Sequence, residues 1–427
     1  VSTKTKPEDG KAAESMGPGR RRRAVIAVER RHRRGTDSRP NRRRRKLIKR
    51  WIAGTAAVVI AITGWSILGA LTAPGNDSVA ARLAEWGRDH AMSGAVTWLE
   101  NEKYNLNPPK TGGTPNQDDL NRMRAAAPAT TREPPASASA TSAAPGTAPK
   151  PKDPTVLNPL TPAVPDPEPG EGQWRTLVTA AGIPLVQAAY LRADASHTAD
   201  TSAVAWINQA KARFVLHPGA QEPGGSSWSQ PSSITPDEKP GLIATWNGGF
   251  KLQDAQGGFY LDGKTAGTLK DGSASEVIHT DGSLSVGQWG RDFRMGPDIA
   301  AVRQNLRLLV DNGQDAPDLN TGAWGLTIKN ADYTWRSGVG ETADGNIVYA
   351  MGPTLNVQTL ADLLRNAGAV RAMELDINPD WTSFMTYDGS HNHDDPVPAK
   401  LLDTFVHTAA RYYSTDSRDF IAVYARP

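Results

Sequence analysis

Apolar positions fall into three regimes along the chain. The first is a single unbroken run, Trp51 to Leu71 (WIAGTAAVVIAITGWSILGAL), 21 residues without a charge. About 20 apolar residues cross the hydrocarbon core of a bilayer as a helix, so residues 51–71 are expected to be a transmembrane helix. The second regime has helical period. Val79, Leu83 and Trp86 recur at i, i+4 and i+7, and Val96 and Leu99 continue the stripe. Residues 72–104 therefore read as a juxtamembrane helical hairpin broken near Gly94. The third regime fills residues 173–427. Short apolar runs at 183–193, 212–217, 241–246, 306–310, 324–328, 347–351 and 420–425 read as strands. Asp-Gly pairs at 262, 271, 281, 344 and 388 punctuate them, and Asp-Gly favours hairpin turns. Helices are fewer here. One is expected over Thr359 to Ala367, with Leu360, Leu363 and Leu364 on one face, a cap-like start at Thr359 and Asp362, and Gly368 after its end. It leads into VRAMELDI (370–377), a buried strand ending in an acid. A second helix is expected over Ala399 to Tyr412. The fold class is α+β: a mixed, mostly antiparallel sheet with covering helices.

Composition divides the chain further. Residues 1–50 hold 19 Lys and Arg against 5 Asp and Glu, a balance of +14; the other 377 residues hold 29 against 40, a balance of −11. The basic excess lies wholly on the N-terminal flank of the apolar run. The positive-inside rule then places residues 1–50 in the cytoplasm as a disordered tail and the rest outside. A cleaved signal peptide is the competing reading, but its apolar region is shorter and its basic start briefer. The tail is expected to meet anionic lipid headgroups, at about 1 kcal/mol per basic residue near the surface. The main domain is acidic, so no nucleic-acid partner is expected for it. Residues 105–172 are rich in Pro, Ala, Ser and Thr and read as a disordered or extended linker. Cysteine is absent, which excludes disulfides, thiolate metal sites and cysteine nucleophiles. The Arg-, Ala- and Pro-rich composition points to a high-GC Gram-positive bacterium.

Four segments of the main domain carry candidate chemistry. Asn247-Gly248-Gly249-Phe250 follows a strand, and its glycines permit a sharp turn and close approach. VRQNLRLLVDNG (302–313) reads as a strand and Asn-Gly turn. Arg336-Ser337-Gly338-Val339-Gly340 precedes an Asp-Gly hairpin. Met373-Glu374-Leu375-Asp376 ends a strand directly after the best helix. In this order the segments resemble the phosphodiester glycosidase family. NGGF at 247–250 matches with Lys251 in place of a second Phe, and LLVDNG at 308–313, RSGVG at 336–340 with the following ADGNIVYA, and TLADLLRNAGAVRAMELD at 359–376 match as well. The resemblance covers most of residues 173–427. It departs after Asp376, where the family pattern has glycines and a serine and this chain has INPDWTSF (377–384). That loop is differently shaped, which implies either another substrate or loss of catalysis; the serine's counterpart is at best Ser383.

The resemblance implies a hydrolase acting on sugar 1-phosphodiesters, here in cell-envelope or exopolysaccharide material. The leaving group at the anomeric carbon is a phosphate monoester, so a cation for the phosphate and a carboxylate near the anomeric carbon matter most. Carried over by position, Arg336 is the phosphate clamp and Asp376 the base or nucleophile, with Glu374 or Asp380 as the second carboxylate. Asn247, with Gly248 and Gly249, and Trp381 would meet substrate. Alternation along the strand places Glu374 and Asp376 on one face. Each residue also has a structural reading: Arg336 as an ion-pair strut to Asp376, Asn247 as a turn residue, Glu374 as an ion-pair partner, Trp246 and Trp381 as core. No cofactor is implied with certainty. A divalent metal at His391, His393, Asp394 and Asp395 is weighed against a solvated loop, which is the stronger reading. The alternative function is a non-catalytic envelope module that binds glycan or phosphopolymer on the same scaffold.

Overall fold

The computed structural model describes residues 42–125, 157–225, 227–319, 324 and 333–426. The basic tail up to residue 41, linker residues 126–156 and most of the expected strand 324–328 lie outside them. Contacts divide the chain into two units at Ile62–Thr63.

The apolar run forms α1 (Arg42–Leu71), a 30-residue helix with its side chains largely exposed. Among the described residues it is the one helix long and apolar enough to cross a membrane, and it fits a single-pass anchor. The amphipathic stretch that follows forms α2 (Val79–Asp89) and α3 (Ser93–Leu106). Ser78 caps α2 by accepting the Ala81 N–H at 3.1 Å. The break falls at Ala91, which adopts positive φ, rather than at Gly94. The described ends of the expected linker are not free chain. Residues 117–124 form α4, which buries Leu120 and Met123, and its Arg122 donates to the Leu401 carbonyl at 2.9 Å. Leu160 and Val164 are also buried, and Glu171 pairs with Arg192 at 2.7 Å. An apolar residue every third or fourth position supplied enough burial to dock these segments despite their proline content.

Among the described residues the main domain holds three sheets whose strand pairings are all antiparallel. The first, eight-stranded, runs β1 (Arg175–Ala180), β2 (Ile183–Leu191), β3 (Ser202–Ile207), β14 (Ile347–Leu355), β13 (Thr334–Thr342), β15 (Ala369–Glu374), β11 (Leu308–Asp311), β12 (Gln314–Asp315). The second runs β7 (Lys264–Ala266), β6 (Phe259–Leu261), β10 (Ile299–Gln304), β8 (Ala274–His279), β9 (Leu284–Gln288). The third runs β17 (Val397–Lys400), β16 (Phe384–Asp388), β5 (Leu242–Asn247), β18 (Phe420–Ala425), β4 (Ala212–His217). The short α5 (Leu252–Ala255) and the longer α6 (Val357–Asn366) complete it. Strands of the large sheet are apolar on both faces because both are covered. Ile347, Tyr349 and Met351 face a core shared with the other two sheets, while Val348 and Ala350 face α6. The turn chemistry reads through: Asp262-Gly263 joins β6 to β7 with both residues at positive φ, and Asn312-Gly313 does the same for β11 and β12.

Two helix expectations change. The helix expected from Thr359 starts at Val357. Asn356 is its N-cap, accepting the Thr359 N–H at 2.7 Å while Thr359 Oγ1 accepts the Asn356 N–H at 2.9 Å. The helix expected over 399–412 does not form. Residues 397–400 pair instead with β16, and Leu401, Leu402 and Phe405 turn into the core, leaving a single 3-10 turn at Arg411–Tyr413. Sheet pairing outweighed a marginal helical period there.

Candidate active site

Antiparallel wiring brings one set of strand ends together: the ends of β5, β10 and β15 and the starts of β13, β16 and β18. Phe384 pairs with Trp246, and Phe420 with Asn247. The polar residues that mark these ends in the sequence are therefore neighbours.

Asn247 is the hub. Its Oδ1 accepts from the Tyr349 hydroxyl at 2.7 Å and the Ser383 N–H at 3.0 Å, and its Nδ2 donates to the Gly248 carbonyl at 2.8 Å and Ser337 Oγ at 3.1 Å. Two donor and two acceptor positions are all that an amide offers, so Asn247 ties three strands and has none left for a ligand. Gly248 and Gly249 serve close approach. A Cβ on Gly248 would lie 2.1 Å from Asp419 Oδ2, and one on Gly249 2.8 Å from Asn305 Cγ. Gly248→Ala is expected to lower stability by about 1–3 kcal/mol, as overpacking of a filled interior does; thermal melts against wild type measure it. Both glycines thus admit close packing at this strand end.

Arg336 and Glu374 find each other. Arg336 Nη1 meets Glu374 Oε1 at 2.5 Å, and both side chains are buried. The guanidinium also donates to the Leu355 carbonyl at 3.0 Å and the Trp324 carbonyl at 3.3 Å. The carboxylate that Arg336 pairs with is Glu374, not Asp376. Burial raises the Glu374 carboxyl above its ordinary range against the pull of Arg336.

Asp376 has different company. β15 ends at Glu374, so strand alternation stops before Asp376 and does not make the two carboxylates a pair. The Asp376 carboxylate accepts the Asn378 N–H at 2.9 Å. Burial pushes its pKa up to about 7; Arg418 and the loop amides of Ile377 and Asn378 oppose that shift, and Glu85 adds to it. The backbone of the segment is fixed by Ser337, whose N–H donates to the Asp376 carbonyl at 2.9 Å. Asp380 accepts from Ser78 Oγ at 3.4 Å and lies at the edge of the same region. Trp381 is nearly buried, with the Arg418 guanidinium 4.5 Å above its ring. Trp246 is core. Ser383 is buried, its hydroxyl 2.8 Å from the Tyr412 hydroxyl and accepting from Arg411 Nη1 at 3.0 Å.

A cleft of about 490 Å³ is lined by Lys251, Glu222, Trp381, Arg418, Glu85 and Asp89 among others; Asp376 is buried outside this lining and feels the charges of Arg418 and Glu85. Beneath the cleft runs a polar layer that sequence reasoning missed. Arg303 pairs with Asp419 at 2.7 Å, Arg411 with Asp416 at 2.6 Å, and Asn305 Nδ2 donates to the Glu374 and Leu375 carbonyls at 2.8 and 2.9 Å. Two signals point to it: the polar triplet Arg303-Gln304-Asn305 ending an apolar strand, and the charged run Asp416 to Asp419 immediately before the closing strand.

Residues 240–376 match the family model described as phosphodiester glycosidase. Residues 240–376 form a phosphodiester glycosidase segment within the main domain. The matched segment begins at β5 and ends at Asp376, so it spans Asn247, Arg336 and Glu374, while Trp381, Arg411 and Arg418 fall beyond it. No curated protein matches the sequence. Three solved structures are similar in part. The zebrafish N-acetylglucosamine-1-phosphodiester alpha-N-acetylglucosaminidase catalytic domain, auto-inhibited by its pro-peptide, is 13% identical over 60% of this chain and 88% of its own, with a TM-score of 0.39. A hypothetical protein from Synechocystis is 12% identical over 56% and 62%, with a TM-score of 0.31. A putative exported protein from Burkholderia pseudomallei K96243 is 11% identical over 53% and 74%, with a TM-score of 0.30. As for metals, the described residues hold no group of three or more His, Asp and Glu placed to share an ion. His391, His393, Asp394 and Asp395 are exposed, and Asp395 meets Lys239 Nζ at 2.6 Å.

Proposed function

We propose that the glycosidase domain is an extracytoplasmic, membrane-anchored hydrolase. It cleaves sugar 1-phosphodiester linkages in cell-envelope or exopolysaccharide material of a Gram-positive bacterium, with α1 as its anchor and residues 1–50 in the cytoplasm. The observation that carries this reading is Asp376: a buried carboxyl at the end of the family segment, within the electrostatic reach of the cleft residues Arg418 and Glu85, with its pKa brought to about 7. A group poised there gives and takes protons at neutral pH, which general acid–base work requires. Water attacks the anomeric carbon, the C–O bond breaks, and the phosphate monoester leaves with the electron pair. As base, Asp376 takes the proton of the attacking water; as nucleophile it would itself displace the phosphate first, and water would then release the sugar from the glycosyl ester; the Arg418 charge favours its carboxylate form in either case. Arg336 and Glu374 hold the strand end that presents Asp376. Trp381 lines the cleft, and Asp380 precedes it in the chain; both are assigned to substrate binding.

The test is sugar release from N-acetylglucosamine 1-phosphodiesters by the detergent-solubilised full chain. Asp376→Asn is expected to lower kcat/KM at least 100-fold without lowering the melting temperature, a loss of about 2.7 kcal/mol of transition-state stabilisation. Activity that survives this change removes Asp376 from the mechanism. The second reading, a glycan- or phosphopolymer-binding module, is favoured by the loop after Asp376. There Ile377 and Pro379 stand where the family has glycines, and the Asn378 N–H pins the carboxylate. Tight glycan binding with no release from any sugar phosphodiester would select it.

A further inference from the structure

The cleft lined by Lys251, Trp381 and Arg418 is not empty of chain. Glu85, on α2, reaches into it from outside the family segment. Its Oε2 meets Lys251 Nζ, and its Oε1 accepts from Arg418 Nη2 at 3.2 Å. Asp89, one turn on, lies 3.6 Å from Lys251 Nζ. The side chains of Lys251, Arg418 and Glu85 are 14%, 10% and 19% exposed, so two cations of the main domain converge on one carboxylate in a part-enclosed place, and Arg88 of the same helix lies 3.6 Å from its Oε1.

The fit is incomplete in an informative way. Arg418 Nη1 is buried and has no hydrogen-bond acceptor. A carboxylate offers two oxygens, and both are engaged. A phosphate offers more, and guanidinium and ammonium groups are its common binders. Lys251 is also the residue that replaces an apolar Phe in the NGGF motif, so the cation belongs to this chain's version of the site.

The arm that delivers Glu85 is held by polar contacts. Asp77 Oδ1 accepts from Ser417 Oγ at 2.7 Å, Asn76 Nδ2 donates to the Arg411 carbonyl at 2.7 Å, and Gln221 Nε2 donates to the Pro74 carbonyl at 3.0 Å. Val79 and Leu83 of α2 remain exposed. An arm seated by ion pairs and hydrogen bonds, each worth about 1 kcal/mol or less net, can lift without unmaking a core. Arg82 fastens the other end, donating to the Leu71 carbonyl at 3.1 Å and the Gly75 carbonyl at 2.5 Å where α1 finishes.

We infer that Lys251 and Arg418 form a binding site for a substrate phosphate group, and that Glu85 occupies it as an internal substitute, so that α2 must withdraw before a phosphodiester can enter. The inference rests on the reading of the cleft as a sugar-phosphodiester site and names its anion subsite and its gate.

The experiment measures binding rather than turnover, so its outcome is independent of whether any sugar phosphodiester is cleaved. The full chain is purified in a maltoside detergent, which carries no phosphate, and titrated with inorganic phosphate by calorimetry. Glu85→Gln keeps the side chain's shape and removes its charge; it is expected to bind phosphate at least tenfold more tightly than wild type. The double variant Glu85→Gln with Lys251→Gln is expected to lose that gain. A merely structural ion pair would lower the melting temperature of Glu85→Gln without creating affinity. Equal affinity in wild type and Glu85→Gln, or a gain that survives loss of Lys251, overturns the inference. On the unmodified chain, phosphate is expected to speed amide exchange over residues 79–89 relative to chloride of equal ionic strength, and no change there overturns it as well. Phosphatidylglycerol added to the micelles is expected not to displace phosphate from Glu85→Gln. Displacement would assign the subsite to a lipid headgroup and overturn the substrate reading.

Discussion

Arg336→Ala is expected to lower the stability of the folded chain by about 3–5 kcal/mol, the range for removing one partner of a buried ion pair. The pair crosses from the start of β13 to the end of β15 with both side chains buried, and Glu374 Oε2 already lacks a hydrogen-bond partner. Deleting the guanidinium leaves a buried carboxylate with no counter-charge. Burial already raises the Glu374 carboxyl, and without Arg336 it rises further. The sign follows. The folded variant holds a proton on Glu374 that the unfolded chain releases once the pH exceeds its ordinary value of about 4.5. The variant's deficit therefore grows with rising pH and is smallest in acid, where Glu374 is protonated in both states. Replacing both partners, as Arg336→Met with Glu374→Leu, is expected to recover most of the loss, since a well-packed apolar pair has no desolvation to offset. Urea titrations followed by tryptophan fluorescence at pH 5 and pH 8 measure this. A deficit below about 1 kcal/mol at pH 8 would show that the pair does not hold the strand ends together.

This pair shows what the sequence can and cannot convey about the site. Strand and turn positions are legible because apolar runs and Asp-Gly or Asn-Gly turns are local signals; β4, β5, β11, β14 and β18 lie where the apolar runs place them. The motif residues are legible as members of one neighbourhood. Their roles are not, because a role depends on which partner a side chain meets. Guanidinium suits phosphate, which makes Arg336 a phosphate clamp on sequence grounds, but the register Gly338 opposite Glu374 gives it a carboxylate first. Asn247 suits a ligand contact on the same grounds, and four internal hydrogen bonds consume it. Two cations that line the cleft are not family signatures: Lys251 stands where the motif has a second Phe, and Arg418 lies beyond the matched segment. Arg418 is set 42 residues after Asp376 and reaches it only through the pairing of β18 with β5. Glu85 precedes the domain altogether. Long-range pairing decides such contacts, and single-sequence periodicity does not encode it.

Glu276→Gln is expected to stabilise the protein at pH 8 relative to wild type while leaving it nearly unchanged at pH 4. Glu276 lies on β8, fully buried, with Oε1 accepting from Trp246 Nε1 at 3.2 Å and Oε2 unpartnered. Burial pushes its pKa up to about 8; the Trp246 hydrogen bond opposes this, the nearby Asp419 adds to it, and Arg303 offsets part of it. In the unfolded chain the same group titrates near 4.5. Below that value both states hold the proton and Glu276 has no effect on the pH dependence. Between about 4.5 and 8 the unfolded chain releases the proton and the folded chain keeps it, so wild-type stability falls by about 1.4 kcal/mol per pH unit from this group. Glutamine cannot titrate, and its Oε1 still accepts from Trp246. The stability difference between variant and wild type should therefore open steadily from pH 4.5 and level off above pH 8, reaching a few kcal/mol. Asp376 and Glu341, both raised to about 7, contribute in the same direction in both proteins and cancel in the difference. Melting temperatures of the two proteins across pH 4 to 9 read the result. Parallel curves would mean that Glu276 is ionised in the folded state and held by Arg303. The anionic charge would then sit beside Asp419, at the root of the layer that supports Arg418 and the cleft.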